Sequence, residues 1–255
     1  VVKLGRFRYP KAVNVTSIHA FSEKVALVTD GTTPIGKAVA LQLALQGAFV
    51  IVGVPPSGKG DPAIEALRAL GTLAFAVDAD AQTPDGARTL LDKVETEFAR
   101  LDLLVNCLKS AGESTFLVNC KDDALDYFPE GVRPSYLVTK LASSLMSSRP
   151  KPKIVNVIAE PTSESEDSSV SDDSAVTEAS YSADLDATEW FSRNLPDSFR
   201  VNAVVVKDAN ESDYLDHPEF LRPKGTVSPD DVARVVLFLL SPEAVAVNGN
   251  VLRLG

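Results

Sequence analysis

Residues 28–36 read Val-Thr-Asp-Gly-Thr-Thr-Pro-Ile-Gly. An apolar run leads into this stretch and an amphipathic helical pattern leads out of it. A strand that enters a helix through a glycine-bearing turn offers backbone N–H groups and the positive end of a helix dipole, which together bind phosphate. Two residues oppose that use: Asp30 sets a carboxylate where an anion would approach, and Pro34 removes one N–H. The same residues suit a capped helix start, because Asp and Thr accept from free amides and proline is favoured in the first helical turn. The turn is therefore expected to begin a sound helix and to bind an anion weakly or not at all.

Other chemistries find few residues. Cys107, Cys120, His19 and His217 are too few for a structural metal site, and no metal is expected. The two cysteines read as reduced thiols, with a Cys107–Cys120 disulfide as the alternative. Asn14-Val15-Thr16 and Asn210-Glu211-Ser212 match the glycosylation sequon by chance. Of the 255 residues, 45% are hydrophobic, enough for a full core. No apolar run reaches the ~18 residues of a membrane span. The net charge of −10 is concentrated: residues 160–189 hold ten acids and no Lys or Arg, and the remaining 25 acids and 25 bases cancel. An acidic field argues against nucleic acid as a partner. Lys3, Arg6, Arg8 and Lys11 make the start basic. An intracellular location is expected, cytoplasmic or in an organellar matrix or stroma after removal of a transit peptide.

The elements that must position these residues follow a strict alternation. Residues 1–22 form an N-terminal arm without periodicity, and residues 23–255 form one domain. Apolar runs at 24–29, 48–54, 72–79, 101–107, 152–159, 199–206 and 250–254 predict strands. Helices are predicted at 34–47, 61–71, 84–99, 123–148, 181–194 and 229–241, and a solvated Ser/acid-rich loop at 160–180. Strands that are apolar throughout are buried on both faces, so helices between them imply a parallel sheet. The fold class is α/β, a single doubly wound parallel sheet of the Rossmann type, with any ligand at the carboxyl ends of the first and fourth strands.

The landmarks, taken in order, resemble the short-chain dehydrogenase/reductase family over about residues 24–255. "KVALVTDGTTPIGKAVALQLALQGAFVIV" is similar to the family's first βαβ unit, and "FAVDADA" to its adenine-contacting segment. "LDLLVNC" is similar to the strand before its Asn-Asn-Ala-Gly turn, and "RVNAVVV" and the C-terminal "SPDDVARVVLFLLSPEAVAVNGNVLRLG" match its last strands and helix. The resemblance implies NAD(P) as cofactor, with Thr29, Gly31, Ile35, Gly36, Asp78 and Asn106 as the positions that would hold it. Asp30 and Pro34 replace two glycines of the family's phosphate turn, and Gly53-Val54-Pro55-Pro56 carries neither the Asp nor the Arg that selects NAD or NADP. Leu108 and Lys109 are bulky where the family keeps room for cofactor. No cofactor is therefore expected, and NAD(P) if any.

The family's catalytic set is Asn, Ser and a Tyr followed four residues later by Lys. The resemblance places Gly131 or Glu130 at the Asn, Ala159 at the Ser, Tyr181 at the Tyr and Leu185 at the Lys. Ser168 stands thirteen residues before Tyr181, a spacing the family also uses, but the strand ending at Ala159 argues against it. Without the ammonium, and with Asp184 and Asp186 beside it in sequence, Tyr181 reads as vestigial, packed at the start of a helix. Two classes of function result. The main expectation is a degenerate family member, a pseudoenzyme serving as a structural or assembly subunit. It would pair with other protein subunits or a related chain as a homo- or hetero-oligomer. The alternative is an NAD(P)H-dependent short-chain reductase, similar to the 3-oxoacyl-carrier-protein reductases, or a non-catalytic dinucleotide sensor.

Overall fold

The computed structural model describes residues 20–58, 62–69, 74–107, 134–161, 172–207 and 227–255. Among the described residues the seven strands are β1 (Val25–Val28), β2 (Phe49–Val54), β3 (Ala74–Asp78), β4 (Leu103–Asn106), β5 (Lys153–Ala159), β6 (Arg200–Val206) and β7 (Val251–Leu254). Six α-helices alternate with them: α1 (Pro34–Leu45), α2 (Pro62–Ala69), α3 (Pro84–Phe98), α4 (Pro134–Met146), α5 (Asp172–Asn194) and α6 (Pro229–Leu240). The strands form one seven-stranded sheet in the order β3-β2-β1-β4-β5-β6-β7. Every pairing is parallel. Strand order reverses between β1 and β4, and the carboxyl ends of these two strands are the position at which a doubly wound sheet has its ligand crevice.

The apolar strands alternate between two cores. Val28, Val50, Val105, Val155 and Val204 face α1, α2 and α6. Leu27, Ile51, Leu104, Ile154 and Val201 face α3, α4 and α5. Both faces are covered by helices, which is why these strands read as unbroken apolar runs.

The base of the sheet, at the amino ends of the strands, is pinned by charge. Asp102, 2% exposed, accepts from the Val25 N–H at 3.0 Å and from Arg100 and Arg149 at 2.7–3.0 Å. Lys24 adds an ion pair at 3.7 Å. Burial alone would raise the Asp102 carboxyl, but the Val25 N–H and the two guanidinium groups outweigh it and hold the group below its ordinary value. Nearby, the buried Lys153 donates its ammonium to the Ser241 carbonyl at the end of α6. Desolvation lowers its pKa to about 8, against the pull of Glu243.

Two expected elements differ. Helix α5 begins at Asp172, so residues 172–180 of the expected loop are helical, while 162–171 lie outside the described residues. Acidic residues at the first positions of α5 suit a helix N-terminus. Helix α4 covers 134–146 of the expected 123–148, and residues 123–133 lie outside the described residues. Cys107 is a free, buried thiol, pushed up by burial and then by the Asp30 carboxylate. Cys120 and residues 1–19 fall outside the described residues.

Candidate active site

The β1–α1 turn stands at the reversal of strand order. Thr33 caps α1: its hydroxyl accepts from the Gly36 N–H at 3.0 Å, and Pro34 opens the helix. The Asp30 carboxylate, 3% exposed, accepts from the Thr32 N–H at 2.7 Å and the Thr32 hydroxyl at 2.6 Å. Gly31 N–H is donated to the Gly53 carbonyl and Lys37 N–H to the Thr33 carbonyl. The amides of Thr33 and Ile35 are the turn amides outside these bonds. Gly36 is required by close approach: a Cβ there would lie 1.9 Å from the Asp30 carbonyl oxygen.

A second turn has the same build. Asp30-x-x-Thr33-Pro34-x-Gly36 is repeated after β3 as Asp80-x-x-Thr83-Pro84-x-Gly86. Asp80 accepts from the Gln82 N–H at 2.9 Å, Thr83 accepts from the Gly86 N–H at 3.1 Å, and a Cβ on Gly86 would again lie 1.9 Å from the Asp carbonyl. The two differ in helix charge: α1 has no acid in its first turn, whereas α3 has Asp85.

Of the other cofactor positions, Thr29 is fully buried and its hydroxyl accepts from the Cys107 N–H at 2.9 Å, tying β1 to the end of β4. Asp78 ends β3 beside Val54 and is exposed. Asn106 ends β4 and is 1% exposed; its amide donates to Asn156 at 2.7 Å and to Thr139 at 3.0 Å, while its Oδ1 has no hydrogen-bond partner. The network continues from the Asn156 amide to the Thr188 hydroxyl at 2.8 Å and from that hydroxyl to the Asp184 carbonyl at 2.9 Å. These amides and hydroxyls cross β4, β5, α4 and α5 at the crevice. Sequence reading found Asn106 alone, although Asn156 within an apolar strand was a visible signal of a buried polar contact.

Tyr181 lies well inside α5 rather than at its start, and it is 8% exposed against Ile158, Ala203 and Val205. Its phenol oxygen accepts from Arg253 Nη1 at 2.5 Å, and Arg253 also bonds Glu160 at 2.9 Å. Leu185 packs on the same cluster and brings no charge. Asp184, expected to oppose negative charge at Tyr181, instead accepts from the Ser135 hydroxyl of α4 at 2.5 Å. Strand alternation puts Ala159 with Val157 and its register partner Val206, on the α1/α6 face, whereas Tyr181 packs on Ile158 and Val205. Gly131, Glu130, Ser168, Leu108 and Lys109 lie outside the described residues.

A family model described as short chain dehydrogenase matches residues 24–207. The chain belongs to the short-chain dehydrogenase family. An uncharacterized oxidoreductase of Methylorubrum extorquens is 32% identical over 249 residues, covering 90% of this chain and 95% of that protein. A hydroxynaphthalene reductase of Aspergillus fumigatus is 28% identical over 270 residues, covering 93% of each. The crystal structure of a hydroxysteroid dehydrogenase from Escherichia coli superposes with a TM-score of 0.71 at 21% identity, over 95% of this chain and 99% of that one. At that identity the likeness establishes a shared fold. The expected structural or assembly subunit is overturned: these relatives, which span nearly the whole chain, are named as an oxidoreductase and a reductase, and neither name is that of a non-catalytic subunit. The family typically uses NAD(P), which is compatible with the expectation of NAD(P) as the cofactor if any binds.

Proposed function

We propose that this chain is an NAD(P)H-dependent short-chain reductase acting on a small carbonyl compound. One observation carries the reading: a phenol is held at the carboxyl edge of a family sheet whose relatives over about nine-tenths of the chain are named oxidoreductases.

The residues at the crevice fit a dinucleotide with a reduced set of donors. Gly31 and Gly36 bring no side chain to the turn, and the amides of Thr33 and Ile35 stand outside its internal bonds. The positive end of α1 is uncontested within its own first turn. The buried Asn106 Oδ1 offers an acceptor for a ribose hydroxyl or a bridging water. Against these, Asp30 keeps the Thr32 donors for itself and brings negative charge. The expected consequence is a weak cofactor site. The neutral end of β2, at Val54 and Pro55, supports no strong choice between NADH and NADPH.

When bound, the reduced nicotinamide supplies a hydride. The chain's part is to orient the carbonyl, exclude water and deliver a proton to the carbonyl oxygen, and Tyr181 is the described residue at this edge suited to that transfer. Self-association through α4 and α5 suits a family that commonly forms oligomers.

Fluorescence titration with NADH and NADPH, followed by turnover against a panel of aldehydes, aliphatic and aromatic ketones and 3-oxo thioesters, tests the reading. Saturable binding with turnover of one carbonyl class supports it. Absence of turnover for every class in the panel overturns it.

A further inference from the structure

We propose that Arg253, reaching across from β7, is the positioning group that holds the Tyr181 phenol ready to give up its proton, an assignment that rests on the reductase reading. A guanidinium carries five N–H donors and no acceptor. In the Arg253–Tyr181 bond the phenol oxygen must therefore accept, which leaves its own hydrogen to be donated elsewhere. The Arg253 guanidinium carbon also lies 5.9 Å from the centre of the Tyr181 ring, so the contact covers part of the ring as well as its oxygen. Glu160, just beyond the end of β5, fixes the other side of the same guanidinium nitrogen at 2.9 Å. Three elements, α5, β7 and β5, thus meet at one phenol.

The chemistry balances. The carbonyl carbon would gain the hydride of a reduced nicotinamide, whose C–H bond breaks as the ring is oxidised, and the C=O π bond would break. The phenol O–H bond breaks as a new O–H bond forms on the product alcohol. The phenol oxygen, left negative, already accepts from a permanent cation, and that hydrogen bond becomes charge-assisted on both sides. Solvent returns the proton. Among the described residues Arg253 is the cation that touches Tyr181; Leu185 is apolar and Asp184 is engaged with Ser135. The bond to the phenol, and then their electrostatic attraction, raise the guanidinium above its ordinary value, which keeps Arg253 cationic.

The experiment uses the full chain in four forms: wild type, Tyr181→Phe, Arg253→Met and Arg253→Lys. Carbon-labelled tyrosine gives a ring resonance for each phenol, and Tyr181→Phe identifies the one from position 181. Arg253→Met is expected to move that resonance while the other tyrosine resonances stay in place. It should lower kcat about 100-fold with KM within about threefold, and Arg253→Lys should recover about tenfold of the loss. An Arg253→Met protein with unchanged Tyr181 resonance, or with kcat within about twofold of wild type, overturns the assignment of Arg253 alone. A wild-type protein that turns over no carbonyl overturns the reductase reading and this assignment with it.

Discussion

The turns after β1 and β3 are built from one pattern, yet they stand at different places in the sheet. Asp30-x-x-Thr33-Pro34-x-Gly36 opens α1 at the reversal of strand order, whereas Asp80-x-x-Thr83-Pro84-x-Gly86 opens α3 after the edge strand. In both, the aspartate accepts from the amide two residues on, the threonine caps, and the glycine lets the helix close on the aspartate carbonyl. The difference is the second helical residue. Asp85 meets the dipole of α3 with a charge of its own, and Ile35 leaves α1 without one. The pattern is thus a way to start a helix, and its position and the missing first-turn acid are what set the β1 copy apart. Asp30 and Pro34, which look like damage to a phosphate turn, are parts of a sound local structure.

Substitutions can break or sharpen this contrast. Asp102 sets the upper scale, as a buried aspartate bound by two guanidinium groups as well as by an amide. Asp102→Ala should cost about 3 kcal/mol in urea denaturation, because Arg100 and Arg149 lose their shared partner. Its folded value is depressed, so its contribution is complete above the ordinary carboxyl value of 3.8 and is lost as pH falls toward the folded value. Gly36→Ala and Gly86→Ala should each cost about 2 kcal/mol, since a new Cβ would meet a backbone oxygen in both turns. Unequal losses would show that the turns are not equivalent. Asp30→Asn keeps an acceptor for Thr32 and removes the charge. It should tighten NADH binding about tenfold in a fluorescence titration, about 1.4 kcal/mol, while Asp80→Asn leaves it unchanged. Thr33→Ala and Thr83→Ala should each cost about 1 kcal/mol of stability by thermal melting, with a loss of cofactor affinity in the first alone.

The strands and most helices were legible because apolar runs and capping residues act locally. The β1 run, the Thr33-Pro34 start and the Ser228 cap of α6 each carry their signal within a few residues. The first turns of α5 were read as loop because serines and acids there show no apolar period, although acids at a helix start are themselves a signal. The site was less legible. Thr29, Gly31, Ile35, Gly36 and Asn106 lie at the carboxyl ends of β1 and β4 and in the turn after β1, but the position one turn after Tyr181, where the family carries its cation, holds Leu185. Arg253 lies 72 positions away, and only the order of β5, β6 and β7 brings it to the phenol. Nor can adjacency in sequence say that Asp184 faces α4 while Tyr181 faces the sheet.

Lys153 gives the molecule a lopsided response to alkali. Its proton leaves the folded chain near pH 8 but leaves a free lysine only near 10.5. The burden of enclosing an ammonium is therefore full in neutral water and is shed between those two values. Mild alkali should make the foot of the sheet sturdier at the junction of β5 and α6, while strong acid slackens the neighbouring grip on Asp102.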